Sequence, residues 1–225
     1  MTRIRIVETA GSTNADLIAD TRAVEGDWQV ALEQTAGRGR QGRRWVGMAG
    51  NFFGSTLVEL RADDPPPQSL SLVAGLALIE ALDSAASDRA LMLKWPNDLL
   101  SDGAKAAGIL LERQGERVVA GFGVNLAHAP EVGERRTTGL GAVVAPTAFA
   151  SLLAASFARI LASWRASDPM QFAQAWMARA HPLGAPLAVH DESGGRISGT
   201  FDGIEGDGSL RLRLADGTIR AVRAG

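Results

Sequence analysis

Two apolar runs, residues 28–33 and 51–60, read as buried strands, and the segment between them is built quite differently. Gly37-Arg38-Gly39-Arg40-Gln41-Gly42-Arg43-Arg44-Trp45 carries four arginines and three glycines and closes on an indole. It has no apolar period, so it is neither a core strand nor an amphipathic helix. A sheet that includes the flanking strands must carry this stretch as a loop at a strand end. Glycine lets the backbone approach a ligand closely, and arginine forks suit carboxylate and phosphate oxygens. On these residues alone an anion-gripping loop and a solvated Gly/Arg surface loop, or a weak nucleic-acid contact, both stay open.

The rest of the composition narrows the field. A chain of 225 residues holds one large domain, or a main domain with a small satellite. Its hydrophobic fraction of 46% and charged fraction of 21% are those of an ordinary soluble globular protein. No uninterrupted run of 18 apolar residues occurs, so no membrane span is expected. The first residues alternate like a strand and lack the apolar stretch of a signal peptide. The chain has no cysteine, which excludes disulfides and thiolate metal sites and points to a reducing cytoplasm. A net charge of −2 argues against a protein devoted to nucleic acid, so the four arginines are a local concentration. Of 23 basic residues only Lys94 and Lys105 are lysine, as if lysine were kept where a compact ammonium matters.

In chain order, Ser12-Thr13-Asn14 precede a short helix over 15–22. The hydroxyls suit an N-cap, and they and the Asn amide also suit a polar ligand. Gln34 lies at the junction of the first buried strand with the arginine loop. Apolar residues at helical spacing predict a helix over 69–86. Leu91-Met92-Leu93 is a short strand running into Lys94-Trp95-Pro96-Asn97-Asp98, which places Lys94, Asn97 and Asp98 at a strand end. Asp102-Gly103 marks a hairpin, with Lys105 opening its second strand. A further strand over 117–124 ends in Gly121-Phe122-Gly123-Val124-Asn125, where small residues suit a backbone lying against a ligand. Residues 131–145 read as a surface connection, and 146–164 and 168–179 as helices. Beyond Leu183-Gly184, short strands alternate with Ser193-Gly194-Gly195, Asp207-Gly208 and Asp216-Gly217 turns, the pattern of a small antiparallel barrel.

Taken in order, Ser-Thr-Asn, Gln34, the glycine–arginine stretch with its tryptophan, Lys-Trp-Pro-Asn-Asp, Lys-Ala-Ala-Gly-Ile-Leu and Gly-Phe-Gly-Val-Asn closely resemble the biotin–protein ligases over essentially the whole chain. The resemblance implies an α/β (α+β) fold with a mixed central sheet flanked by helices, related to class II aminoacyl-tRNA synthetases and lipoate ligases. It implies a catalytic domain over 1–183 and an SH3-like β-barrel over 184–225. Residue by residue, it implies that Ser12, Thr13, Asn14 and Gln34 line a biotin pocket. Arg38, Gly39 and Arg40 match a loop that closes over biotin and its adenylate, and Trp45 an aromatic near the adenine. Asn97 and Asn125 match nucleotide contacts, Lys105 meets the biotin carboxylate and the α-phosphate, and Asp98 is structural or metal-facing. Lys94 is open between a functional and a structural strand-end role.

The chemistry the resemblance implies makes sense of these residue types. Attack of the biotin carboxylate on the α-phosphate of ATP brings two anions together. Arg38, Arg40, Lys105 and Mg²⁺ would offset their repulsion. A lysine of a biotin carboxyl carrier domain then takes the biotinyl group from the mixed anhydride. Water would compete, so a mobile lid that orders on its ligand is expected of the arginine loop. Some family members also carry an N-terminal helix-turn-helix and act as repressors; here the catalytic pattern begins in the first residues, and no operator binding is expected. Homodimers occur in the family, and no interface stripe marks one in this sequence. Two rival readings are a lipoate–protein ligase, which shares the fold and the adenylate logic, and a non-catalytic nucleic-acid or partner-binding module.

Overall fold

A β-α-β unit comes first in the chain. In the computed structural model, which describes residues 2–85, 88–131, 136–190 and 195–223, β1 (Ile4–Ala10) and β2 (Trp28–Gln34) lie parallel, with α1 (Thr13–Ala19) between them. The remaining strands join antiparallel: β3 (Phe52–Glu59), β4 (Leu91–Lys94), β5 (Asp98–Ser101), β6 (Ala104–Gln114) and β7 (Arg117–Val124). They complete a mixed seven-stranded sheet in the order β1-β2-β3-β7-β6-β5-β4. Asp102 and Gly103 both have positive φ and close the β5–β6 hairpin as a two-residue turn, which is what an Asp-Gly pair favours.

Side-chain alternation separates the two faces of this sheet. Val118, Ala120, Phe122 and Val124 of β7 join Phe52 and Val58 of β3 in the main hydrophobic core. That core is closed by α2 (Leu70–Ala85), entered through a turn of 3-10 helix at Pro67–Ser69, and by α3 (Pro146–Ala166). On the opposite face, Leu57 and Val119 pack with Leu17 of α1 in a small separate cluster. The opposite face is otherwise thinly covered, and that leaves room for a cavity.

Pro67–Ala85 and Pro146–Ala166 are long and apolar enough to cross a membrane by length and composition, although neither is an unbroken apolar run. Eleven residues of α2 are buried, from Leu70 to Leu82, so its apolar surface is taken up by the sheet and α3. α4 (Pro169–Met177) is capped by Asp168, whose carboxylate accepts from the Met170 and Gln171 amides.

The C-terminal strands β8 (Pro186–His190), β9 (Arg196–Ile204), β10 (Leu210–Arg213) and β11 (Ile219–Val222) form a separate antiparallel sheet in the order β11-β10-β9-β8. Its inward residues Phe201, Ile204, Leu210 and Leu212 are continuous with the main core. The buried Trp95 indole donates to the Gly208 carbonyl at 3.0 Å, a second tie between the two sheets. The expected turn at Ser193-Gly194 and part of the 131–145 connection lie outside the described residues.

Several boundaries differ from the sequence expectation. The first helix starts at Thr13 rather than Ala15 and stops at Ala19, because Ser12 itself is the N-cap. β2 runs one residue further, to Gln34, which keeps pairing with Ala10 of β1.

Candidate active site

A cavity of about 430 Å³ opens on the α1 face of the main sheet. Its floor comes from the alternate residues of β6 and β7 that do not enter the helical core: Gly108 and Leu110, Gly121 and Gly123. Gly121 and Gly123 were expected to let backbone lie against a ligand. They instead make space for side chains of the protein itself. A Cβ on Gly121 would lie 2.0 Å from Asn14 Oδ1, and one on Gly123 would lie 2.4–2.6 Å from the Trp45 indole.

The neutral polar wall is built from the start of α1. Ser12 caps that helix, its hydroxyl reaching the Ala15 amide at 3.5 Å, and it also lines the cavity, so both readings of Ser12 hold together. Gln34 Oε1 accepts from the Thr13 amide at 2.8 Å, with the Thr13 hydroxyl 3.1 Å away. That hydroxyl lies 2.7 Å from Ser55 Oγ on β3, and Ser55 is 2.6 Å from Asn14 Oδ1. Asn14 Nδ2 donates to Glu112 at 2.7 Å. Thr13 and Asn14 are both nearly buried.

Ser55 and Glu112 were not anticipated. Both lie on pocket-side strand faces, Ser55 with Leu57 on β3 and Glu112 with Gly108 and Leu110 on β6, so period-two parity was the available signal.

The cationic wall depends on an irregularity. Leu99 pairs with Ala107 but Leu100 pairs with Lys105, so Ala106 is an extra residue in β6. Strict alternation would set Lys105 on the face opposite Gly108. The bulge returns it, and Lys105 Nζ comes to 3.2 Å from the Cβ position of Gly108. Its ammonium pairs with Asp98 and lies 5.4 Å from the centroid of the Trp45 ring. The backbone of Lys105 is also held by Arg136 and Thr138, from the connection expected to be mere surface. Thr137 of that connection lines the cavity.

The arginine loop folds back on itself as a tight reversal. Arg38 bridges Arg44, the Gly39 amide donates to Arg43 O at 2.7 Å, and the Trp45 amide donates to Gly37 O at 2.9 Å. Gln41 and Gly42 take positive φ at the tip, which Gly42 accommodates without strain. The loop thus lowers Trp45 into the glycine slot while Arg38, Arg43 and Arg44 stay exposed at the rim. Arg40 is half-buried; desolvation lowers its basicity and the Asp98 charge opposes that, so the guanidinium stays charged at working pH.

Asn97 and Asn125 both line the cavity. Asn97 Nδ2 is committed to Ile109 O at 2.7 Å. Asn125 Oδ1 is buried without a partner among the described residues, as is Trp45 Nε1. Lys94, by contrast, does not line the cavity; it ends β4, paired across from Asp98 in the hairpin. Among the described residues no group of three or more His, Asp or Glu could hold a metal ion, and Asp98 is the single acidic residue lining the cavity. That donor set suits a Mg²⁺ ion carried mainly by phosphate oxygens rather than a protein-made cage.

A model of the biotin/lipoate A/B protein ligase family matches residues 5–127. A biotin–[acetyl-CoA-carboxylase] ligase from Paracoccus denitrificans is 41% identical, over 90% of this chain and 90% of its own. One from Mycobacterium tuberculosis is 36% identical over 99% of this chain and 87% of its own. A solved biotin protein ligase from Aquifex aeolicus, in complex with biotin and ATP, is 25% identical and superposes with a TM-score of 0.87, covering 100% of this chain and 97% of that one. With this fold and this cavity, the chain belongs to the biotin/lipoate A/B protein ligase family. Within that family, the two biotin–[acetyl-CoA-carboxylase] ligases match along most of both chains.

Proposed function

We propose that the chain is an adenylate-forming ligase that activates biotin as biotinyl-5′-AMP and passes it to a lysine of a biotin carboxyl carrier domain. The observation that carries this reading is a single cavity combining a neutral hydrogen-bonding wall with a cationic one. The neutral wall, Ser12, Thr13, Asn14 and Gln34, holds the uncharged ureido head, which needs a few well-placed donors and acceptors. The carboxylate end reaches Lys105, Arg38 and Arg40. There it meets the α-phosphate, and the cations stabilise the charge that develops as carboxylate oxygen attacks phosphorus and pyrophosphate leaves.

Lys105 starts in its pair with Asp98 and exchanges that partner for the arriving anions. Trp45 offers its face to adenine, and Asn125 Oδ1, without a partner among the described residues, accepts from the adenine amino group, with Asn97 beside it. Asp98 and Asn97 would hold Mg²⁺ alongside the ATP phosphates, where it would neutralise phosphate charge. The arginine loop is the lid: its reversal unfolds to admit substrates and closes to keep water from the anhydride. In the second step the acceptor amine attacks the carbonyl and AMP leaves.

The wider frame of this reading has a catalytic domain over 1–183, akin to class II aminoacyl-tRNA synthetases, and an SH3-like barrel over 184–225 built on the four-stranded C-terminal sheet. A cytoplasmic setting suits its ATP dependence and lack of cysteine. ATP–pyrophosphate exchange measured with biotin and, separately, with lipoate tests the reading. Exchange with biotin is expected; exchange with lipoate alone would overturn it.

A further inference from the structure

Beneath the neutral wall runs a chain of hydrogen bonds, Glu112–Asn14–Ser55–Thr13, in which only one residue in two touches the cavity. Asn14 and Thr13 line it; Ser55 and Glu112 lie behind. The direction of each bond follows from what each group can do.

Asn14 presents one end of its amide to two acceptors, a Glu112 carboxylate oxygen at 2.7 Å and the Leu110 carbonyl at 3.3 Å. A carboxylate and a backbone carbonyl accept only, so that end is the NH₂ and the other is the oxygen. Asn14 Oδ1 faces Ser55 Oγ at 2.6 Å and needs a donor, and the Ser55 hydroxyl has one proton to give. With that proton committed, Ser55 meets Thr13 Oγ1 at 2.7 Å with a lone pair, and Thr13 must donate.

The reverse arrangement fails at each link. If Ser55 donated to Thr13, Asn14 Oδ1 would be left buried opposite another oxygen at 2.6 Å. If Thr13 gave its proton to Gln34 Oε1 at 3.1 Å, the two hydroxyl oxygens would face each other unprotonated at 2.7 Å. Gln34 Oε1 is already satisfied by the Thr13 amide at 2.8 Å. One direction remains.

We propose that Glu112 and Ser55 are positioning residues that polarise the Thr13 hydroxyl as an acceptor, so that the neutral wall selects a substrate head group carrying an N–H donor. This rests on the biotin reading of the cavity. Thr13 spends its only proton inward, and its oxygen keeps a lone pair for a ligand. A ureido N–H fits that lone pair. A dithiolane head has no hydrogen to offer and would leave the acceptor buried and unmet, a mismatch that polar sites reject strongly. Gly121 belongs to the same device, since any Cβ there would displace the Asn14 amide on which the direction depends.

The test compares biotin with its two singly N-methylated ureido analogues in ATP–pyrophosphate exchange. The proteins are the unsubstituted chain and Ser55→Ala, Glu112→Leu and Glu112→Gln, each checked for folding by thermal melting. Ser55 is fully buried, so Glu112→Leu, at a partly exposed strand position, is the safeguard should Ser55→Ala fail to fold. The expected result has four parts. The unsubstituted chain prefers biotin over at least one analogue. Ser55→Ala and Glu112→Leu raise the KM for biotin roughly five- to tenfold, the worth of one hydrogen bond. They leave the KM for ATP unchanged and shrink the preference over the analogue by a similar factor. Glu112→Gln behaves like the unsubstituted chain, because its amide oxygen still accepts from Asn14. Folded variants that keep the biotin KM, or that lose biotin and both analogues by equal factors, would overturn the proposal, as would Glu112→Gln proving as damaging as Glu112→Leu. If the unsubstituted chain shows no biotin-dependent exchange at all, it is the biotin reading that falls, and the proposal with it.

Discussion

Lys105 reaches back from the bulge in β6 to pair with Asp98, and each side chain is only 13% exposed. The ammonium lies over the Trp45 ring, 5.4 Å from its centroid, and the pair lines the cavity together with the arginine loop. Poorly solvated opposite charges hold each other in place, and removing one leaves the other uncompensated. The arrangement keeps a largely desolvated ammonium pre-positioned where two anions are to meet.

Replacing that ammonium with a guanidinium should therefore not be conservative. The ammonium is largely buried, paired with Asp98 and set against the Trp45 indole, and a planar fork of different shape and reach does not reproduce both contacts. Lys105→Arg should lower kcat for biotin-dependent pyrophosphate exchange by roughly 100-fold, the scale of losing one electrostatic donor. Its melting temperature should change little. Near-normal turnover in the folded variant would refute the role of Lys105.

Gly123→Ala tests the slot beneath Trp45. The new methyl would stand 2.4–2.6 Å from the indole, and β7 is paired on both sides, to β3 and β6, so the ring must yield. Losing a stacking face costs about 1–3 kcal/mol per base. The KM for ATP should rise at least fivefold, well beyond any change in the KM for biotin. Equal effects on both substrates in a folded variant would show that Trp45 is not the adenine platform.

How far was this legible beforehand? The site residues Ser12, Thr13, Gln34, Arg40, Trp45, Asn97, Lys105 and Asn125 carried chemistry in their residue types and positions at strand ends, and the structure brings them around one cavity. The Asp102-Gly103 hairpin was equally readable, because its turn demands positive φ. The orientation of Lys105 was not readable. A bulge changes which face a residue takes, and the insertion of Ala106 is visible only in the pairing of β5 with β6. Residue type alone did not separate Lys94 from Lys105; the family resemblance gave a role to Lys105 and left Lys94 open, and the fold turns Lys105 and not Lys94 into the cavity. Gly121 and Gly123 looked like ligand-facing backbone because the side chains filling their space, Asn14 and Trp45, come from distant parts of the chain.

Trp95→Phe tests how the C-terminal sheet is tied to the main one. The substitution keeps an aromatic ring but deletes the donor to Gly208 O, leaving a buried carbonyl unsatisfied. That costs about 1–3 kcal/mol, and thermal denaturation should show a lower melting temperature by a few degrees or more. An unchanged melting curve would mean that the bond contributes nothing net.

His181 sets a pH dependence. Burial, reinforced by the Lys94 charge, pushes its imidazole below the ordinary 6.5, and its Nε2 is buried without a partner among the described residues. A base depressed on folding is held neutral by the folded state, so the unfolded chain binds more protons as pH falls. This contribution to stability is complete above pH 6.5 and is lost progressively as pH drops from there toward the folded value. Between pH 8 and pH 5.5, the unsubstituted chain should therefore lose more melting temperature than His181→Asn. Parallel losses in both proteins would contradict the assignment.

The most direct measurement of the central claim is chemical. The chain is mixed with ATP, Mg²⁺ and biotin and the products are read by mass spectrometry, alongside Arg40→Ala. The account predicts biotinyl-AMP and pyrophosphate, with the adenylate retained by the unsubstituted protein and released sooner by a folded Arg40→Ala. No biotinyl-AMP under these conditions, or an adenylate formed with lipoate and not with biotin, would contradict it.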